Sequence, residues 1–187
     1  MSLYSSVIIA GFGGQGIMLI GNLLAYAAMR QGLNVTFMPV YGVEMRGGTS
    51  SCTVVFSSEE IGSPIIRHPQ GVIVLNQPSL EKFQPRVEDN GILLLNSSLA
   101  DPVAADTKRL RCFGIPANAL AEKLGEPRLM NMVALGAYLK ILDALPLEHA
   151  LNSLEQVSPE HSQGLLSLNA QALRAGYEAA RAIGNGV

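Results

Sequence analysis

The sequence predicts an α/β fold of three layers, in which a Rossmann-like, mostly parallel or mixed sheet lies between helices and leads into a helical C-terminal part. Three observations support this prediction. Short apolar runs at 72–76 and 92–96 are bounded by turn residues, as is typical of strands covered on both faces. Near the N-terminus, a glycine-rich turn at 11–16 joins an apolar run at 7–10 to a segment with helical spacing at 17–31. From residue 117 onward the pattern is helical.

The first forty residues form the clearest local pattern. Residues 7–10 make a short β-rich run, and residues 17–31 place their apolar side chains on one helical face. Gly32 is suited to end that helix as a C-cap. Residues 34–38 then suggest a second strand, so this stretch predicts one βαβ unit.

The middle of the chain alternates between further short elements. Residues 51–56 predict a strand, and residues 65–66 suggest the start of a short return strand that would make the sheet mixed. Residues 79–87 predict a short helix. The last strand is expected at 110–113.

The C-terminal part is predicted to be helical. Residues 128–144 have almost no polar face, which indicates a helix buried in a core or in an interface. Further helices are expected at 146–157 and 163–183. Since no repeat, low-complexity tract or linker is present, we expect a single domain over 1–187.

The composition favours a subunit of a larger assembly. Only 15% of the 187 residues are charged and 48% are apolar, whereas a typical soluble domain is about 25% charged. We therefore expect much of the surface to be covered by partners. The net charge of −2 offers no basic field for nucleic acid or an anionic membrane. The N-terminus lacks the charged region of a signal peptide, which predicts a cytoplasmic protein.

A glycine-rich turn is the strongest candidate for a binding site. The segment Gly11-Phe12-Gly13-Gly14-Gln15-Gly16 fits the GxGxxG pattern between a strand and a helix. Such a turn brings backbone N–H groups close to an anion at the positive end of a helix, so a phosphate-bearing ligand is expected. The alternative is that the glycines only allow tight packing of strand and helix. Gln15 favours a ligand, because packing alone would not need an amide at the tip.

The second strand argues against a dinucleotide ligand. In folds that bind NAD or FAD, an acidic residue at the end of the second strand binds the ribose hydroxyls, and in those that bind NADP a nearby arginine binds the extra phosphate. Residues 35–39 contain none of these.

A second polar loop is predicted to share the same edge of the sheet. It contains Tyr41, Gly42, Glu44, Arg46, Gly47, Gly48 and Thr49. Loops that follow parallel strands meet at the carboxyl edge, so we expect a role in ligand or subunit contact. The alternative is a solvated turn with an exposed ion pair of about 0–1 kcal/mol.

Both loops, taken together, resemble the gamma subunit family of 2-oxoacid:ferredoxin oxidoreductases. The resemblance continues in order through the blocks at 52–55, 61–64, 76–79, 96–98 and 131–137. The Asn76-Gln77-Pro78-Ser79 block looks most like the 2-oxoglutarate branch.

The resemblance implies a reaction carried out with other chains. A 2-oxoacid would be decarboxylated on thiamine diphosphate, electrons would pass through iron–sulfur clusters to ferredoxin, and the product would leave as acyl-CoA. The implied partners are alpha and beta subunits that bind thiamine diphosphate, a ferredoxin-like subunit and ferredoxin. This chain has no thiamine diphosphate signature, and two cysteines cannot ligate a four-cysteine cluster. No catalytic or metal-binding residue is therefore expected here.

The resemblance assigns coenzyme A to the glycine turn. Gly13, Gly14, Gln15 and Gly16 would contact its phosphates, and Gly11 completes the turn. The sequence departs from the single-chain pyruvate enzymes because no lysine follows Gly16. Two alternatives remain from the residues themselves: a stand-alone module that binds a nucleotide or coenzyme A, and a structural subunit with an empty turn.

Overall fold

A computed structural model describes residues 2–40, 49–157 and 163–183. Seven strands form one sheet within these ranges. They are β1 (Tyr4–Phe12), β2 (Asn34–Val40), β3 (Thr49–Ser57), β4 (Gly71–Val74), β5 (Ile92–Asn96), β6 (Arg111–Ile115) and β7 (Arg181–Ala182). The α-helices of the same ranges are α1 (Ile17–Arg30), α2 (Gln77–Phe83), α3 (Ala117–Lys123), α4 (Met130–Leu142), α5 (Leu147–Leu151), α6 (Leu154–Val157) and α7 (Gln163–Ala179).

The sheet is mixed, as predicted. Its strand order is β2-β3-β1-β4-β5-β6-β7. The pairs β1–β4, β4–β5 and β5–β6 are parallel, whereas β3 runs antiparallel to both of its neighbours and β7 runs antiparallel to β6. The return strand expected at 65–66 is wrong, because that segment is irregular. The mixed character comes from β3 and β7 instead.

The first forty residues do not form a simple βαβ unit. Strands β1 and β2 point the same way, but β3 is inserted between them and pairs with both. β3 is the next described strand after β2, and it occupies the place that β2 would take beside β1. The predicted βαβ unit is therefore present in a split form: its two strands are parallel and joined through α1, but β3 lies between them.

The two faces of the sheet are covered unequally. One face packs against α1, α3, α4 and the C-terminal helices in the larger apolar cluster. The other face packs against α2 and irregular segments in a smaller cluster that includes Phe83, Leu93 and Leu95. The strands β4 and β5 are buried along their whole length, because their branched side chains are covered on both faces.

Helix α4 is buried on nearly every side, which confirms the prediction for the most apolar segment. Its residues from Met130 to Leu139 are all buried. The helix lies against β4 and β5 on one side and crosses α7 on the other. Gly136 of α4 faces the backbone carbonyl of Leu173, and Gly176 of α7 faces the carbonyl of Val133. The two helices can approach this closely because neither glycine carries a side chain.

Candidate functional site

The glycine turn and both ends of the second loop meet at the carboxyl edge of the sheet. Phe12 at the end of β1 pairs with Thr49 at the start of β3, and Val40 at the end of β2 pairs with Ser51. The shared edge predicted for the two loops is thus confirmed where the loop begins and ends. Its residues Tyr41, Gly42, Glu44, Arg46, Gly47 and Gly48 lie outside the described residues.

The glycine turn is a tight reversal between β1 and α1. Gly11 and Phe12 still belong to β1, and the N–H of Gln15 donates to the carbonyl of Phe12 at 3.2 Å. Gly14 has a φ of 93° and Gly16 a φ of 74°. Residues with a side chain rarely adopt this left-handed backbone conformation, so the path of the backbone itself favours glycine at both positions.

The two ends of the turn are packed tightly. A Cβ atom on Gly11 would come within 2.5 Å of the Gln15 side-chain oxygen and 2.8 Å of Ile17 Cδ1. A Cβ atom on Gly16 would collide with the side-chain amide of Asn131. Tight packing, the alternative raised from the sequence, is therefore enough to explain the glycines at positions 11 and 16.

The tip of the turn is open. A Cβ atom on Gly13 or Gly14 would meet no other atom of the described residues within 4 Å, and both glycines are exposed. Gly13 also lacks the left-handed backbone that would require glycine. Neither packing nor conformation within the described residues explains Gly13, so a close approach by a group outside the described residues is left as a reason for it.

Gln15 has a structural role that the sequence did not reveal. Its Oε1 accepts hydrogen bonds from the Phe12 N–H at 2.7 Å and from Asn76 Nδ2 at 3.1 Å. The sequence predicts that packing alone would not need an amide at this position. That prediction was wrong for the oxygen of Gln15, which forms hydrogen bonds within the chain. The oxygen serves the shape of the turn itself.

The N-terminus of α1 begins directly after the turn. Gly16 is its N-cap and offers no side-chain cap, and the first turn of the helix contains no acidic residue. The first intrahelical bond runs from the Ile20 N–H to the Gly16 carbonyl at 3.2 Å. The N–H groups of the first turn and the positive end of the helix dipole therefore point toward the turn, which suits an anion.

Three buried asparagines lie around the same edge, and their roles were not predicted from the sequence. Asn76 follows β4, Asn96 ends β5 and Asn131 lies in the first turn of α4; their exposed fractions are 2%, 1% and 5%. Asn96 donates to Asn118 Oδ1 at 2.8 Å and accepts from the Ala117 N–H at 3.1 Å. For Asn76 and Asn96 the available signal was an asparagine directly after an apolar run, because buried amides need partners at fixed positions.

The strand order adds a second argument against a dinucleotide. In the fold that binds NAD, the strand whose end carries the acidic residue lies next to β1. Here β3 separates β2 from β1, which places the end of β2 roughly 10 Å from β1, since neighbouring strands are about 4.8 Å apart. Even an acidic residue there would lie too far from the turn.

The cysteines are buried in the apolar layers. Burial raises the pKa of the Cys52 thiol to about 12. Burial, reinforced by the nearby Asp106, raises the pKa of Cys112 to about 11. No group of three or more His, Cys, Asp or Glu side chains that could hold a metal occurs among the described residues. None of the helices described here combines the length and the apolar character needed to span a membrane.

These features define a Rossmann-like domain with a mixed sheet, whose carboxyl edge presents an open glycine turn at an uncapped helix N-terminus. The model of the family described as "Pyruvate ferredoxin/flavodoxin oxidoreductase" matches residues 6–179. The chain belongs to this family.

Two groups of relatives differ in length. The chain is 40% identical to the ketoisovalerate oxidoreductase subunit VorA of Methanothermobacter thermautotrophicus, over 92% of this chain and 36% of that protein. It is 30% identical to the 2-oxoglutarate synthase subunit KorC of Archaeoglobus fulgidus, over 94% of this chain and 87% of that protein. The chain therefore spans little more than a third of the first relative and most of the second.

Solved structures share the fold. The gamma subunit of a keto/oxoacid ferredoxin oxidoreductase from Geobacter sulfurreducens matches with a TM-score of 0.82 and 24% identity, over 96% of this chain and 99% of that chain. The 2-oxoglutarate:ferredoxin oxidoreductase from Magnetococcus marinus matches with a TM-score of 0.83 and 24% identity, over 94% of this chain but 30% of that chain. The same domain thus occurs both as a separate chain and as part of a longer one.

Proposed function

We propose that this chain is the gamma subunit of a thiamine-diphosphate-dependent 2-oxoacid:ferredoxin oxidoreductase, and that its glycine turn contacts coenzyme A. Membership of the family and the relatives named as oxidoreductase subunits support the first part. The partner chains would bind thiamine diphosphate and the iron–sulfur clusters. This chain would supply a ligand-binding edge to the assembly.

The open tip of the turn is the observation that carries the second part. Gly13 and Gly14 leave space that no described residue fills, beside helix N–H groups that have no side-chain cap. A phosphate group of coenzyme A fits both features, because backbone N–H groups can bind it without a clash. The Magnetococcus marinus enzyme, whose domain shares this fold, was solved with coenzyme A bound.

The oxoacid is proposed only as a class. The 2-oxoglutarate assignment from residues 76–79 remains a prediction, supported by the 30% identity to a 2-oxoglutarate synthase subunit. The 40% identity to a ketoisovalerate oxidoreductase subunit favours a branched 2-oxoacid as a second candidate. Ferredoxin reduction by the purified complex with each oxoacid in turn will distinguish them.

Anaerobic pull-down of the tagged protein from its native host tests the assembly. We expect co-purifying chains that carry thiamine diphosphate and iron, and coenzyme A-dependent reduction of ferredoxin by that complex. Recovery of the chain alone, without thiamine diphosphate or iron, would contradict the proposal and favour a stand-alone module.

The variant Gly13→Val tests the coenzyme A contact, with Gly62→Val as its matched control. Both glycines are exposed, have open space at the Cβ position and lack a left-handed backbone, but Gly62 lies on the segment after β3 rather than in the turn. We expect the turn variant to raise the KM for coenzyme A at least about tenfold, the effect of losing about 1.4 kcal/mol of binding. An unchanged KM in both variants would remove coenzyme A from the turn.

A further inference from the structure

Asn76 connects the glycine turn to helix α2. It lies between β4 and α2, has an extended backbone, and is 2% exposed. Its Oδ1 accepts from the Ser79 N–H at 2.9 Å and so caps α2, while its Nδ2 donates to Gln15 Oε1 at 3.1 Å. One buried amide thus uses one atom for the helix and the other for the turn.

The oxygen that Asn76 contacts is the one that closes the turn. Gln15 Oε1 also accepts from the Phe12 N–H at 2.7 Å. Parallel pairing between β1 and β4 ends at Ala10 and Val74, so Phe12 lies beyond the last paired residue of β4 and Gln15 supplies its acceptor. This oxygen lies so close over β1 that a Cβ atom on Gly11 would come within 2.5 Å of it.

The contact requires a donor and an acceptor on the same side chain. An aspartate at position 76 could cap α2, and its negative charge would suit the helix N-terminus. It could not donate to Gln15 Oε1, and two oxygens would then face each other. The glutamine would have to rotate or move, and the Phe12 N–H would lose its acceptor.

We propose that Asn76 is a positioning residue, which holds the glycine turn in the geometry that contacts the ligand through Gln15. This inference rests on the proposed function for its ligand, coenzyme A, but its structural part can be tested separately. The atoms that touch the ligand belong to the turn, and Asn76 acts on them through a single hydrogen bond.

The variant Asn76→Asp, assembled into the complex, tests the inference. The cap of α2 is retained, so the subunit should still fold and assemble. We expect amide hydrogen exchange in the peptide spanning residues 7–16 to accelerate and the KM for coenzyme A to rise about fivefold, the effect of losing one neutral hydrogen bond. The kcat at saturating coenzyme A should not change.

Gln77→Glu is the charge-matched control. It makes the same amide-to-acid change one residue further along, where the side chain bonds to Glu81 and to the Asp101 backbone instead. Exchange in the 7–16 peptide and the KM for coenzyme A should both match the unmodified complex. A similar rise in the control would show that added charge, not the lost bond, causes the effect, and would overturn the inference.

A double variant tests whether Asn76 acts through Gln15. Gln15→Leu removes the shared acceptor, so it should reproduce both effects of Asn76→Asp. Because the two side chains act as one unit, the double variant should be no worse than Gln15→Leu alone. Additive losses would show that Asn76 acts by another route and would contradict the inference.

The results also separate this inference from the proposed function. Unchanged exchange in Asn76→Asp overturns the positioning role, whatever the kinetics show. If exchange accelerates while neither Asn76→Asp nor Gly13→Val changes the KM for coenzyme A, Asn76 still positions the turn but the ligand assignment fails. If Gly13→Val raises that KM and Asn76→Asp does not, the positioning role has no consequence for the ligand and the inference is overturned.

Discussion

Glycines serve opposite purposes in two regions of this molecule. At the crossing of α4 and α7, Gly136 and Gly176 face the backbone of the opposite helix. At the tip of the turn after β1, a Cβ atom on Gly13 would meet no atom of the described part of the chain within 4 Å. Glycine makes room for the opposite helix at the crossing, whereas no described residue fills the space beside Gly13. The surroundings of a glycine, more than its presence, indicate whether it serves packing or binding.

The helix crossing should show the largest effect of adding one carbon atom. In Gly136→Ala the new methyl group would press against the Leu173 carbonyl, and backbone cannot move aside as a flexible side chain can. We expect a loss of about 3 kcal/mol in the free energy of unfolding, at the upper end for overpacked cores. Urea denaturation followed by circular dichroism measures it. A loss below that of any turn variant would break the comparison.

The turn itself contains an intermediate case. Gly16 has a positive φ and faces Asn131, whereas Gly14 has a positive φ and open space. Alanine at either position carries a conformational cost of about 1 kcal/mol, and at Gly16 the displacement of Asn131 adds about another 1 kcal/mol. Urea denaturation should therefore give a lower free energy of unfolding for Gly16→Ala than for Gly14→Ala. Equal stabilities of the two variants would mean that the Asn131 side chain moves aside without a cost in free energy.

The smallest change in stability is expected at the tip. Gly13→Ala adds a methyl group where none of the described residues has an atom, and no left-handed backbone opposes it. The free energy of unfolding should therefore stay within about 0.5 kcal/mol. The same urea series provides this measurement. A loss as large as that of Gly16→Ala would show that the tip is packed, and would remove the reason for assigning it to a ligand.

Thiol labelling tests the packed side of the comparison without a mutation. Cys52 is a residue of β3 whose sulfur packs against α1, so that a Cβ atom on Gly21 would come within 2.5 Å of it. Burial raises the pKa of the Cys52 thiol to about 12 and that of Cys112 to about 11, so both remain protonated at pH 8. A thiol reagent should label neither cysteine in the native protein and both in urea. Rapid native labelling would indicate that these layers open easily.

Much of the fold could be predicted from the sequence because it depends on local patterns. The apolar runs of β4 and β5 and the apolar surface of α4 reflect burial on all sides, which leaves a direct trace in residue type. The insertion of β3 between β1 and β2 could not be predicted in this way, because strand order depends on pairings between distant residues. The antiparallel pairings of β3 split the expected βαβ unit without changing the sequence pattern of any of its elements.

The candidate site was predicted in position but not in its internal contacts. The GxGxxG pattern located the turn, since it can be recognised from the residue types alone. The support from Asn76 and Asn131 was not foreseen, because these residues are 60 or more positions away along the chain and reach the turn only through the fold. Gln15 was singled out as a ligand contact because packing alone would not need an amide there, but its oxygen bonds to its own chain.

Hydrogen exchange of the assembled complex, with and without coenzyme A, tests the central claim most directly. The peptide spanning residues 7–16 covers the glycine turn, and the segment around Gly62 serves as an internal reference. We predict that coenzyme A slows exchange in the turn peptide and leaves the reference segment unchanged. Coenzyme A that binds the complex and leaves exchange in the turn unaltered would contradict the account, and the turn would then have a structural role only.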